Sequence, residues 1–212
     1  MKNLRPIVDI VMTLLLLMSM TYELIGYVFE ELFGIDGYEY GALIHEYIGT
    51  AFILLVMFHL WLNRRWLMNI FHGHYNAARS ILVCSDIILI VDIFFILLSG
   101  LMMSRVLGFE SDEGMGMSFA RTAHMLASYW GYVIMSFHAG LHIRNFPKIL
   151  IIPMLYGCYA FVKRQIYEYM FLITEFVFFD FEEPLIYFVI DYIAVMILFM
   201  SLGFYSMKLC RR

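Results

Sequence analysis

Charged residues are scarce in this 212-residue chain. Only 15% of its residues are Asp, Glu, Lys or Arg, whereas 63% are hydrophobic and the mean hydropathy is +0.80. A soluble globular domain is closer to half apolar, so too few charges are present to cover a soluble surface. The chain also lacks a basic run that would suggest nucleic-acid binding. This composition predicts an integral membrane protein.

Cysteine is also rare. Cys84, Cys158 and Cys210 lie far apart, each in or beside an apolar segment. Buried thiols are therefore a better interpretation than a disulfide framework or a metal site.

Six apolar stretches have the composition of membrane-crossing helices, each of which needs about 20 residues. Their residues do not alternate as membrane strands do. The stretches are 7–27, 41–62, 80–104, 119–141, 149–162 and 185–209. We predict an all-α polytopic bundle, with a four-helix core in 1–146 and a C-terminal helical pair in 147–212. The aromatic and acidic segment 167–183 is expected at the outer interface, where aromatic rings are favoured.

Basic residues predict the orientation. If all six stretches cross, four basic segments share one side, which the positive-inside rule assigns to the cytoplasm together with both termini. These segments hold Lys2 and Arg5; Arg64, Arg65 and Arg79; Arg144 and Lys148; and Lys208, Arg211 and Arg212. The opposite side is acidic, with Glu30, Glu31, Asp36, Glu39, Glu110, Asp112 and Glu113. The short stretch 149–162 is the weakest candidate, since it would place Lys163 and Arg164 outside, against the positive-inside rule. Five crossings would instead place the basic residues of 208–212 outside, which breaks the rule more.

Four histidines lie within the second and fourth stretches. His45 and His59 are separated by 59 − 45 = 14 residues, and His124 and His138 by 138 − 124 = 14. Fourteen residues of helix rotate by about 1400°, roughly 40° short of four turns, and rise about 21 Å. Each helix thus presents two imidazoles on one face, one towards each membrane surface.

The two helices run in the same direction, so the histidines match in depth. His45 is expected to pair with His124 on the outer side, and His59 with His138 on the inner side. Two imidazoles that face each other across a bundle form a bis-histidine haem site, so two b-type haems are predicted. The alternatives are hydrogen bonding between helices, a metal or solute transporter lined by histidines and acids, and a membrane anchor for a partner enzyme.

Several neighbouring residues are candidate haem contacts. Gly131 lies seven residues from both His124 and His138, and Gly49 lies one turn from His45, so each leaves room for a macrocycle or for a close helix. Arg121, Asn63 and Arg64 are candidate partners of haem propionates, although interfacial solvation also explains them.

His142 lies one turn beyond His138 and is the alternative inner ligand, at the cost of about 6 Å in depth. The intramembrane acids Glu23, Asp86, Asp92 and Asp191 are costly in lipid. They are expected to bond to arginine or histidine, to orient a ligating imidazole, or to move protons for a quinone. An interfacial or interhelical hydrogen bond also explains each of them.

Segments around these histidines resemble a known family. They are IHEYIG (44–49), HLWLNRRW (59–66), ARTAHMLASYW (120–130) and MSFHAGLH (135–142), followed by YAFVKRQ (159–165) and FVFFDFEEP (176–184). They resemble the flavinylation-associated membrane cytochromes, a family of domains of unknown function. A more distant likeness runs to cytochrome b and to ferric-reductase-like transmembrane domains.

This resemblance implies a role in a prokaryotic cytoplasmic membrane. Such proteins are thought to pass electrons from quinol, or from a donor on the cytoplasmic side, to an extracytoplasmic protein that carries covalent FMN. The chain has no dinucleotide fingerprint and no CxxCH motif. Flavin or NAD(P)H chemistry is therefore expected on a partner, and this chain is expected to be an electron-transfer component rather than a self-contained catalyst.

Overall fold

The computed structural model describes residues 4–106 and 115–211, most of which are helical. No strand occurs within these residues, as predicted for an all-α chain. The helices are α1 (Leu4–Met20), α2 (Tyr22–Phe33), α3 (Gly37–Leu62), α4 (Arg64–Met68), α5 (Ala77–Met103), α6 (Met115–His142), α7 (Ile151–Lys163), α8 (Ile166–Met170) and α9 (Leu185–Cys210), with a 3₁₀ turn at Lys148–Leu150. Lys2, Glu110, Asp112, Glu113 and Arg212, on which the orientation argument draws, lie outside the described residues.

Three helices are long enough and apolar enough to cross a membrane. These are α3, α5 and α9, with 26, 27 and 26 residues, and α1 with α2 makes a fourth if this bent pair counts as one crossing. The stretch 119–141 forms α6, which is long enough at 28 residues but carries three histidines among its polar residues. The stretch 149–162 forms α7 with only 13 residues, about 20 Å in length. The membrane prediction is therefore supported, whereas six crossings stay a prediction.

The chain forms two compact units. The first contains Met1–His74 and Phe179–Val189, and the second contains Tyr75–Phe178 and Ile190–Arg212. The boundary predicted after residue 146 falls inside the second unit. The two histidine-bearing helices thus belong to different units, α3 to the first and α6 to the second.

In the first unit, the predicted stretch 7–27 is not one helix, because the chain bends at Thr21. α1 ends at Met20, and α2 leaves it at an angle of 68°. The Thr21 hydroxyl donates to the carbonyls of Leu17 and Met18, at 3.2 and 3.1 Å. Such back-bonding bends helices, and hydropathy alone does not register it.

α2 then packs closely against α3. A Cβ at Gly26 would overlap the carbonyl oxygen of Gly37 and would lie 3.0 Å from the Cα of Gly41. The turn between these helices passes through Gly34, whose φ is 65°, a conformation that glycine adopts without steric cost. The side chain of Asp36 then caps α3 by accepting the backbone N–H of Glu39 at 3.0 Å.

In the second unit, α5 and α6 pack against each other, and α8 packs on α6. Tyr169 of α8 stacks on Tyr129 of α6 with ring centroids 4.6 Å apart, and the Trp130 indole donates to the carbonyl of Met170 at 2.8 Å. The start of the segment 167–183, expected at an interface, is therefore partly buried against α6.

A buried charge cluster joins α7 to α9 within the same unit. The side chain of Asp191 is only 1% exposed. It accepts from Lys163 at 2.9 Å and from Arg164 at 2.7 Å on one oxygen, and from the Tyr156 hydroxyl at 2.5 Å on the other. The expectation that this acid bonds to an arginine is confirmed. The cluster also gives Lys163 and Arg164 a role in packing, so these two residues carry little information about orientation.

Asp191→Asn should destabilise the protein by about 3 kcal/mol, because it leaves two cations without their buried counterion. The midpoint of thermal unfolding in detergent micelles measures this loss. Tyr156→Phe is the matched control, since it removes one neutral partner of the same carboxylate and should cause a smaller loss. Equal midpoints for Asp191→Asn and the unmodified protein would contradict the importance of the cluster.

Candidate functional site

His45 lies in α3, beside the bend between α1 and α2. Its Nδ1 is 3.1 Å from the carbonyl oxygen of Ser19, and its ring packs against Tyr22 with centroids 4.5 Å apart. The last carbonyls of a helix lack intrahelical partners, and α1 ends one residue after Ser19. A carbonyl can only accept, so the Nδ1 of His45 carries the hydrogen.

His59 lies four turns further along α3. Its Nδ1 is 2.9 Å from Oδ1 of Asp9 on α1, so this nitrogen also donates. The Asn63 side chain, one turn beyond, donates to the backbone carbonyl of His59 at 3.0 Å and lies 3.2 Å from its Nε2. Because an amide NH₂ group is a donor, the Nε2 atom of His59 is the one that accepts.

His124 of α6 faces α5 in the second unit. Its Nδ1 is 3.1 Å from the hydroxyl oxygen of Ser99. That hydroxyl donates its single hydrogen to the carbonyl of Phe95 at 2.6 Å, which leaves its oxygen to accept from the histidine. Gly100, next to Ser99, lies beside the same ring, and a Cβ there would be 3.6 Å from the ring carbon Cε1.

His138 has two oxygen acceptors on α5. Its Nδ1 is 3.2 Å from the hydroxyl oxygen of Ser85 and 3.2 Å from Oδ1 of Asp86. The Ser85 hydroxyl donates to the carbonyl of Leu82 at 2.8 Å, so it too is an acceptor for the histidine. His142, the alternative ligand, lies next to this ring with centroids 4.8 Å apart, and its side chain is exposed.

The contacts of α5 with α6 repeat every seven residues. Along α5 the repeat is Ser85, Asp92 and Ser99, and along α6, in the antiparallel direction, it is His138, Gly131 and His124. We call these six residues the α5–α6 seam. Two turns of helix take about seven residues, so members of one helix share a face, and each histidine meets a serine.

Gly131 and Asp92 meet at the middle of the α5–α6 seam. A Cβ on Gly131 would overlap the carboxylate of Asp92 and would lie 3.4 Å from Ile96. The space beside Gly131 is thus filled by the side chain of Asp92. The Oδ2 atom of Asp92 is buried, and no hydrogen-bond partner for it occurs in the part of the chain that the structure describes.

Four other residues were predicted to contact haem, and they are less tightly packed than Gly131. No atom of the described residues lies within 4 Å of a Cβ built on Gly49. Arg121 is exposed, and Arg64 lies over the Trp61 ring, 4.6 Å from its centroid. Asn63 contacts His59 itself. These placements leave the predicted propionate contacts of the three side chains untested.

The four histidines share one chemical state. Each uses Nδ1 to donate to an oxygen, so the unprotonated nitrogen that can bind a metal is Nε2 in every case. All four side chains are half-buried. A neutral imidazole held by its other nitrogen is the donor that haem iron takes at an axial position, and the four residues therefore fit this group.

Sequence reasoning missed four of the five oxygen partners that lie against these rings. Asp9 and the serines Ser85 and Ser99 were not singled out, although 99 − 85 = 14 repeats the spacing of the histidines. That spacing is a usable signal. The fourth partner, the Ser19 carbonyl, belongs to the backbone and has no sequence signal. Of the intramembrane acids, Asp86 lies 3.2 Å from Nδ1 of His138, and its role in orienting a ligating imidazole stays a prediction.

Among the described residues, no three or more His, Cys, Asp or Glu side chains converge in a way that could hold a metal ion. A haem needs fewer ligands from the protein, because the macrocycle supplies the other ligands of the iron and two histidines suffice. No protein-family model, curated protein or solved structure matches this chain.

Gly131→Ala should destabilise the protein by about 1–3 kcal/mol, because its methyl group would overlap the buried carboxylate of Asp92 and force that side chain to move. Gly49→Ala is the matched control. It has open space within the described residues and should stabilise α3 by up to about 1 kcal/mol, the helix preference of alanine over glycine. Thermal unfolding of both variants in micelles tests this contrast. Adding Asp92→Ala should restore Gly131→Ala towards normal stability. A Gly131→Ala protein of unchanged stability would mean that the overlap with Asp92 does not constrain residue 131.

Proposed function

We propose that this protein is a dihaem b-type cytochrome that carries electrons across the cytoplasmic membrane. His45 and His124 would hold an outer haem, and His59 and His138 would hold an inner one. This pairing rests on the equal 14-residue spacings and the depth match that the sequence predicts.

The observation that carries the proposal is the shared state of the four rings. Four polar side chains that merely joined helices would need no common tautomer. Here four independent acceptors, on α1 and α5, all engage Nδ1 and direct the lone pair to Nε2. Histidine inside a membrane helix is costly, and iron coordination explains why this chain carries it at four equivalent positions.

The proposed topology has six crossings, formed by α1 with α2, α3, α5, α6, α7 with its preceding 3₁₀ turn, and α9. α6 is included because His124 and His138 are then placed at the two depths of His45 and His59. The short α7 would require local thinning of the bilayer, at a modest cost.

The chain supplies axial nitrogens and an apolar environment, while a bound haem would supply one-electron chemistry. With both axial positions taken by histidine, oxygen activation at the iron is not part of the function. We propose quinol or a donor on the cytoplasmic side as the source of electrons, and an extracytoplasmic FMN-carrying protein as the acceptor. Both assignments rest on the resemblance of the histidine segments to flavinylation-associated membrane cytochromes.

The purified protein should contain two haems per chain, with a b-type α band in the reduced-minus-oxidised spectrum. His45→Ala or His124→Ala should remove the outer haem, and His59→Ala or His138→Ala the inner one, so that each variant retains one haem.

His74→Ala, in an exposed loop, is the matched control and should retain both. His142→Ala should also retain both, which separates it from His138. Full haem content in all four ligand variants would refute the assignment, and an unmodified protein without haem would favour a membrane anchor.

Ser99→Ala should weaken binding of the outer haem by about 10–100-fold, as is typical when the partner of a ligating histidine is lost. Competition with an apo-haem acceptor protein measures the rate and extent of haem loss. Ser201→Ala is the matched control, because Ser201 is also buried and donates to the carbonyl of Leu198 at 2.7 Å. Equal haem retention in the two variants would mean that Ser99 does not act through His124.

A further inference from the structure

Asp92 lies near the middle of α5, one of the three helices that are long enough and apolar enough to cross a membrane. The helix runs from Ala77 to Met103, so Asp92 is two residues from its centre, or about 3 Å along the axis. In a helix that crosses a bilayer, this position is far from water on both sides. A charged side chain is costly there.

One oxygen of the Asp92 carboxyl lies in apolar surroundings. Its Oδ2 atom is buried, and no hydrogen-bond partner for it occurs in the described part of the chain. This atom lies against Gly131 of α6, where a Cβ would overlap it, and Ile96 lies beside the same glycine. Neither the hydrogen of a glycine nor an isoleucine methyl group stabilises a negative charge.

Two other acids on the long helices of the second unit have partners that stabilise a charge. Asp191 accepts from two cationic side chains, at 2.9 and 2.7 Å. Asp86 lies 3.2 Å from the Nδ1 atom of His138. Asp92 therefore differs from both in its surroundings, although all three are acids within apolar helices.

The nearest ionisable groups along the α5–α6 seam are two histidines. His124 and His138 each lie seven residues from Gly131, which is about 10 Å along the axis of α6. Each ring approaches a serine of α5 through its Nδ1 atom. On α5 itself, the nearest acid is Asp86, six residues before Asp92.

We propose that Asp92 carries a proton and forms a proton-binding site in the middle of the membrane. An isolated carboxylate is far more costly in an apolar medium than the neutral acid, so such a group takes up a proton instead. Gly131 leaves the space that this carboxyl needs. Ionisable residues inside membrane helices mark proton pathways. The inference concerns a site apart from the four histidines, and it does not depend on the haem assignment.

The first test is labelling of the purified protein with N,N′-dicyclohexylcarbodiimide, an apolar reagent that reacts with protonated carboxyls. The carboxyl O–H adds across one C=N bond, so that the proton passes to nitrogen and the oxygen bonds to the central carbon. The acyl group then migrates to a nitrogen and gives a stable N-acylurea, with no atom lost. Asp92 is half-buried as a residue, which leaves the reagent a route to it. Mass spectrometry should find the adduct on Asp92 at neutral pH, whereas Asp191, held by two cations, should stay unlabelled.

The second test does not depend on the access of a reagent. The infrared spectrum of the unmodified protein at neutral pH should contain the carbonyl band of a protonated carboxyl, and Asp92→Asn should lack that band. Asp86→Asn is the matched control, since it removes an acid from the same helix and should retain the band.

Stability gives a third measurement. Asn has nearly the shape of a protonated Asp and is also neutral, so Asp92→Asn should unfold at the same midpoint as the unmodified protein in micelles. Replacement of a buried carboxylate would instead raise the midpoint, because it would remove a costly charge. A raised midpoint, an unmodified protein without the infrared band, or an adduct on Asp191 but not on Asp92 would overturn the proposal. None of these outcomes depends on haem content, so the proposed function is tested separately.

Discussion

Inside a bilayer, a polar group finds no water and must bond to another part of the protein. This requirement underlies each feature of the described residues that bears on function. The four histidines satisfy one nitrogen each with a carbonyl, a hydroxyl or a carboxylate. The carboxylate of Asp191 accepts hydrogen bonds from two cationic side chains and from a tyrosine hydroxyl. Asp92 departs from this requirement, since no hydrogen-bond partner for its buried Oδ2 atom occurs among the described residues.

The α5–α6 seam meets this requirement by repetition. Serine is suited to it because its hydroxyl hydrogen can bond back to its own helix, and its oxygen then accepts from the neighbouring helix. Ser85 and Ser99 both do this, so the same short side chain holds a histidine at two depths. The repeat also explains why Gly131 stands between the two histidines. At that point the carboxylate of Asp92 occupies the space that a side chain on residue 131 would need.

The sequence was informative where a residue type repeats at a regular spacing. The equal spacings in α3 and α6 identify the four histidines, and hydropathy locates α3, α5 and α9 with small errors at their ends. It was wrong about a single helix over 7–27, because the hydroxyl bonds of Thr21 that bend the chain are invisible to a hydropathy average. The role of Lys163 and Arg164 was also hidden, since their partner Asp191 lies 27 or more residues away. Contacts at such separations depend on packing and leave no local pattern.

The bend at Thr21 has a genetic consequence. Four of the five histidine partners are side chains, and a single codon change can remove each of them. The fifth is the main-chain oxygen of Ser19, which every amino acid possesses. A screen of substitutions at position 19 would therefore leave the acceptor of His45 in place and would score the residue as dispensable. Only a change in the course of the chain near Thr21 would displace that oxygen, so this support of His45 is encoded by the path of the backbone and not by any one side chain.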